Sequence, residues 1–125
     1  MIFDTDVAIW IERGHPKAAA LLNAEPNPMI SVQTYMELLQ GARDRRELEE
    51  TERFLRNLYF EILPLSENIG HRASIYVRQF ALSHGLRAGD ALIAATAVEH
   101  GQTLCTANAK HLRPVRELEL KPFKP

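Results

Sequence analysis

Met1-Ile2-Phe3-Asp4-Thr5-Asp6-Val7-Ala8-Ile9-Trp10 is the stretch whose reading decides the fold. A short apolar run stops at two carboxylates and resumes at once as apolar residues, the pattern of a buried strand feeding a helix. A strand inside a parallel sheet releases its next residue at its carboxyl end, where open α/β sheets place their binding crevices. Asp4 and Asp6 therefore mark a candidate active site. Each also fits a plainer role, because aspartate caps helix amino termini by accepting hydrogen bonds from free amides.

Working outward, strand-like runs alternate with longer helical ones, which predicts an α/β fold: a three-layer α/β/α sandwich around a short parallel sheet. His15-Pro16 opens a helix running to about Asn23, with Pro in a tolerated first turn, and Pro26 and Pro28 break the chain. Met29 to Val32 is a second strand, and the helix after it carries Glu37 in its early turns and ends near Gly41. A charged helix from about Arg45 to Tyr59 has Leu48, Thr51, Leu55 and Leu58 as its inward stripe, and Phe60 to Leu63 follows as a third strand. Glu67 to Ser83 is amphipathic, with Gly85 as its left-handed stop. Ala88 to Val98 is apolar almost all round, so it is a helix buried in the body of the domain, and Asp90 is the one charge in its early turns. Thr103 to Thr106 is a fourth strand leading into Asn108, and Leu118 to Leu120 predicts a last edge strand.

With 125 residues, 46% of them hydrophobic, the chain suffices for one domain over residues 1–125 and leaves no length for a second core. It shows no basic leader and no apolar run near the ~20 residues of a membrane span, so a soluble cytoplasmic protein is expected. Cys105 is the only cysteine, which excludes an intrachain disulfide and fits a small buried hydrophobe. The five histidines show no close pair at ligand spacing, which argues against zinc. A net charge of −1 does not advertise a nucleic-acid binder, so phosphate recognition needs a local patch. Arg43, Arg45, Arg46, Arg53 and Arg56 are interleaved with Asp44, Glu47, Glu49, Glu50 and Glu52, the mark of a solvated face with pairs three or four apart. Lys110, Arg113 and Arg116 form a second basic stretch.

Four polar positions carry the chemistry: Asp4, Glu37, Asp90 and Asn108. Each follows a strand or opens a helix, so a parallel arrangement brings all four to one end of the sheet. Such oxygen donors suit a hard divalent cation, and a cation beside a phosphodiester both acidifies water and neutralises phosphoryl charge. Taken singly, Glu37 reads as an exposed helix residue, Asp90 as a cap or dipole partner, and Asn108 as a turn residue. Only the set points to catalysis.

These residues resemble a known family. Ile2-Phe3-Asp4-Thr5-Asp6, the segment Ser31-Val32-Gln33-Thr34-Tyr35-Met36-Glu37-Leu38 with Gly41, the helix Gly89-Asp90-Ala91-Leu92-Ile93-Ala94-Ala95-Thr96-Ala97, and Thr106-Ala107-Asn108-Ala109-Lys110 are similar in order and spacing to the PIN-domain nucleases. Within them they resemble the VapC-type toxins of type II toxin–antitoxin systems, over nearly the whole chain. The resemblance implies a metal-dependent endoribonuclease with Asp4, Glu37 and Asp90 as acidic site residues and Mg²⁺ or Mn²⁺ as cofactor. It further implies 5′-phosphate and 3′-hydroxyl ends on cleaved RNA, inhibition by a small VapB-like antitoxin, and a homodimer. Single-stranded or loop RNA is the expected substrate, because loops expose the backbone more freely than duplexes do.

Two residues depart from the family pattern: Asn108 stands where many relatives have an acid, and His111 precedes Leu112 where an acid is frequent. An amide oxygen can ligate a metal or orient water but brings no charge, and Asp6 can supply the missing carboxylate. Thr5, Thr106 and Lys110 are further candidates for orienting water or phosphate. Two rivals remain. A haloacid-dehalogenase-like phosphatase fits the Asp4-Thr5-Asp6 pair but wants an acid at position 94, which is Ala94. A catalytically silent PIN-like binding module fits Asn108 and His111.

Overall fold

A computed structural model describes all 125 residues. Five short strands form one parallel sheet: β1 (Ile2–Phe3), β2 (Met29–Ser31), β3 (Glu61–Leu63), β4 (Leu104–Thr106) and β5 (Leu120–Pro122), in the order β3-β2-β1-β4-β5. The chain builds outward from β1 to one side, then returns to build β4 and β5 on the other. The topological switch therefore lies between β1 and β4, where open α/β sheets place their ligand crevices.

Side-chain alternation sorts the strands into two faces. Ile2, Met29 and Leu104 join the core packed by α5 (Glu67–His84) and α6 (Ala88–Glu99), together with Leu63, Ile69, Tyr76 and Ile93. Their sequence neighbours Phe3, Ile30 and Cys105 join the opposite core, with Val7 and Ile11 of α1 (Thr5–Glu12), Ala18 of α2 (Pro16–Asn23), Leu38 of α3 (Val32–Gln40) and Leu55 of α4 (Arg45–Asn57). This is the expected α/β/α layering. Burial pushes the Cys105 thiol up to about 11, in keeping with an unreactive core residue. No helix is long and apolar enough to cross a membrane.

Several details differ from expectation. Ser31 ends β2 and caps α3 through its hydroxyl, which accepts from Gln33 N–H, so Val32 belongs to the helix. In α4, Thr51 and Leu55 are buried but Leu58 is exposed, because the helix ends at Asn57 and Tyr59 reverses the chain at φ +57°. The last strand lies two residues beyond its predicted place. Leu118 is drawn into the α5–α6 core, and the ladder instead pairs Leu104 with Leu120 and Thr106 with Pro122. Gly85 does stop α5, at φ +66°.

Candidate active site

Asp4 leaves the carboxyl end of β1 and caps α1, its Oδ1 accepting from Thr5 N–H at 2.8 Å. Its Oδ2 accepts from the fully buried Thr106 hydroxyl at 2.7 Å, at the end of β4. The same Thr106 oxygen accepts from Asn108 N–H at 2.9 Å, which ties the last motif to the first across the switch point. Asp4 is thus the cap of α1 and lies at the switch point between β1 and β4. Asn108 occupies the cap position of α7 (Ala109–Leu112), yet its side chain makes no capping bond.

Asp6 lies one residue into α1, with Oδ1 accepting from Val7 N–H at 2.7 Å and at the limit of range from Ala107 N–H at 3.5 Å. Glu37 reaches the same end from the second turn of α3. Its Oε2 accepts from the Thr5 hydroxyl at 3.3 Å and from Gln33 Nε2 at 3.5 Å, while Thr5 also meets the Thr34 hydroxyl at 3.0 Å. Asp90 sits in the first turn of α6, whose cap residue Arg87 makes no side-chain capping bond. That position suits a carboxylate, since free amides and the helix dipole favour negative charge there. Directly before it, a Cβ on Gly89 would stand 3.2 Å from Gln33 Nε2 and 3.7 Å from Glu37 Oε2. Glycine at this position lets α6 come up against the Glu37 carboxylate.

Electrostatics sets this cluster apart. Burial, foremost, and then the Asp6 charge raise Asp4 from 3.8 to about 7; Thr106 and Thr5 oppose that rise and Asp90 adds to it. Asp6 is also raised, by burial first and by the charge of Asp90. No Lys or Arg forms an ion pair with Asp4, Asp6, Glu37 or Asp90. The structure therefore gathers one buried and three half-buried carboxylates at this edge, none of them in an ion pair with a lysine or arginine. As the side chains stand, no three His, Cys, Asp or Glu groups are arranged to hold a metal ion. Asp4, Asp6 and Glu37 each turn toward hydrogen-bond donors of the protein instead. The donor set nonetheless fits a hard divalent cation: carboxylates, hydroxyls and an amide, all oxygen.

The structure thus brings Asp4, Asp6, Glu37 and Asp90 to one end of the sheet, with Asn108 linked through Thr106. Of the three accessory candidates, Thr106 holds Asp4 and Thr5 holds Glu37, whereas Lys110 is exposed on α7. Sequence reasoning missed Gln33 and Gly89. Gln33 carried a usable signal, since it stands four residues before Glu37 on one helix face; Gly89 is explained only by the distance between α3 and α6.

The PIN domain family model matches residues 1–117. Ribonuclease VapC19 of Mycobacterium tuberculosis is 32% identical over 123 residues, covering 94% of this chain and 96% of that protein. Among solved structures, a toxin-antitoxin complex from Klebsiella pneumoniae is similar with a TM-score of 0.81 at 29% identity, over 99% of this chain and 98% of that one. VapBC-1 from nontypeable Haemophilus influenzae is similar with a TM-score of 0.75 at 25% identity, over 98% of each chain.

Proposed function

Because the chain belongs to the PIN-domain family, we propose that it is a ribonuclease of the VapC kind: a toxin that hydrolyses RNA phosphodiester bonds with a divalent cation and is held inactive by a small cognate antitoxin. Asp4, Asp90 and Glu37, joined by Asp6, would hold Mg²⁺ or Mn²⁺. When bound, the cation acidifies water and neutralises charge on the phosphoryl oxygens. The chain's own residues do the rest. Thr106 and the Thr5 amide fix the two oxygens of Asp4, while the Thr5 hydroxyl and Gln33 hold Glu37 beside α6. The Asn108 side chain, free of capping duty, orients water or phosphate without adding charge.

The observation that carries this reading is the Asp4 carboxylate, buried, crowded by like charges and without a cationic partner. A group so placed costs the fold stability unless a ligand uses it, which is the signature of a functional site. The substrate is single-stranded or loop RNA, the working unit is one PIN domain assembled as a homodimer, and its place of action is the cytoplasm, where its RNA is found. The phosphatase alternative lacks support, since Ala94 stands where its second acid belongs.

The test is cleavage of an unstructured RNA by the purified protein in Mg²⁺ or Mn²⁺, against EDTA and against Asp90→Asn. Metal-dependent cleavage that falls about a thousandfold or more in the variant is expected, the scale on which misplaced charge stabilisation shows in rates. Cleavage that survives both EDTA and Asp90→Asn contradicts the proposal. Absent cleavage with intact metal binding points instead to the silent binding module.

A further inference from the structure

The two basic stretches of the sequence meet different fates. In the first, two of the five arginines pair with glutamates four residues on, Arg43 with Glu47 at 2.6 Å and Arg46 with Glu50 at 3.9 Å, and Arg45, Arg53 and Arg56 are interleaved with Glu49, Glu50 and Glu52. In the second, Lys110, Arg113 and Arg116 are all exposed, and none takes part in an ion pair. This second stretch runs from α7 into one wall of a cleft of about 600 Å³, whose other wall is α5. Tyr76, Gln79 and Phe80 stand on the α5 side; Arg116 and Glu117 stand opposite.

The cleft is a separate place from the acidic cluster, but a short contact path joins them. From Asp4 the path runs through Thr106 to Asn108 and then along the four residues of α7. His111 on α7 donates from Nδ1 to the His84 carbonyl at 2.6 Å, and the His84 ring lies edge-on to Phe80 with centroids 5.9 Å apart. The only carboxylate on the cleft wall is already spoken for, because Glu117 accepts from the Tyr76 hydroxyl at 2.5 Å and pairs with Arg72 at 3.5 Å. Arg116 is left to face outward without a protein anion.

We infer that the cleft between α5 and residues 114–117 is a subsite for the RNA strand beyond the scissile phosphate, resting on the ribonuclease reading above. Arg116, with Arg113 and Lys110 behind it, follows the phosphates, and one base is held against Phe80 with the Gln79 amide within reach of its edge. Unpaired cations supply the phosphate affinity that a net charge of −1 denies the molecule as a whole. An aromatic wall next to them is how single strands are held without a fixed sequence.

The test is fluorescence anisotropy with a labelled, unstructured oligoribonucleotide in EDTA, which stops metal-dependent cleavage while binding is read. Arg116→Ala is compared with Arg46→Ala, an exposed arginine of α4 on the other layer. Arg116→Ala should weaken binding about five- to tenfold and reduce the log–log salt slope by about 0.7, the share of one phosphate on a single strand. Phe80→Leu should weaken binding about fivefold or more with little change in that slope. Arg46→Ala should leave both unchanged, and melting temperatures confirm that each variant is folded. Equal behaviour of Arg116→Ala and Arg46→Ala overturns the subsite, as does the absence of measurable binding by the parent protein. Cleavage is scored separately on the parent in Mn²⁺: cleavage with an unaffected Arg116→Ala removes the subsite alone, while binding that depends on Arg116 without any cleavage removes the ribonuclease reading alone.

Discussion

Asp4 and Glu47 are both carboxylates at the amino ends of helices, and the protein drives them in opposite directions. Glu47, on the surface of α4, is held down to about 2, first by hydrogen bonds from the Arg43 side chain. Asp4 is raised from 3.8 to about 7 by burial and by its acidic neighbours. At the start of α4 Glu47 meets the Arg43 guanidinium four residues before it, so its charge is settled at the surface and little depends on it. At the end of β1 no protein cation answers, and the fold tolerates the strain. The difference separates an acid neutralised at the surface from one buried without a counter-charge.

The largest effect is expected where that strain is removed. An acid whose folded pKa lies above its unfolded value binds protons more tightly when folded, so ionisation works against the native state. For Asp4, a shift from 3.8 to about 7 corresponds to about 4 kcal/mol. The stability of the metal-free protein should therefore decline as pH rises from about 4 to about 7 and level off above that. Denaturant unfolding across this range checks it, and Asp4→Asn should flatten the decline while being no less stable than the parent at pH 8. A variant markedly weaker at that pH would make Asp4 a structural cap rather than a site residue.

A smaller effect is expected one step from the carboxylates. Gln33→Ala removes a donor to Glu37 and should reduce metal affinity about tenfold, the usual range for residues that orient a ligand, with the melting temperature almost unchanged. Calorimetric titration with Mn²⁺ reads this; unaltered affinity would mean that Gln33 only fills space beside Gly89. The smallest effect belongs to the surface pair. Arg43→Ala should leave RNA cleavage untouched and shift melting slightly, the shift shrinking as salt is raised. A loss of cleavage in that variant would break the contrast between the two regions.

How much of this was legible in the sequence follows from the range of the forces involved. Helix α2 begins and ends where Pro16 and the broken stretch after Asn23 require, because proline and capping chemistry act within a few residues. The gathering of Asp4, Glu37 and Asp90 was legible too. Parallel strands deliver their carboxyl ends to one edge, so topology alone brings distant acids together. What escaped depended on contacts between elements. The register of β5 was set by Leu118 sinking into the core, which no local pattern announces. The closeness of Gly89 to Gln33 and Glu37 is a fact about two helices, invisible in either alone.

If Asp4, Asp6, Glu37 and Asp90 share a cation, thermal melting with and without Mn²⁺ reads it, with the parent set beside Asp90→Asn. A ligand that binds only the folded state stabilises it by about 2.7 kcal/mol at a hundred times its Kd. The parent should gain several degrees in Mn²⁺, and Asp90→Asn should lose most of that gain. Equal shifts in both proteins, or none in the parent, would contradict it.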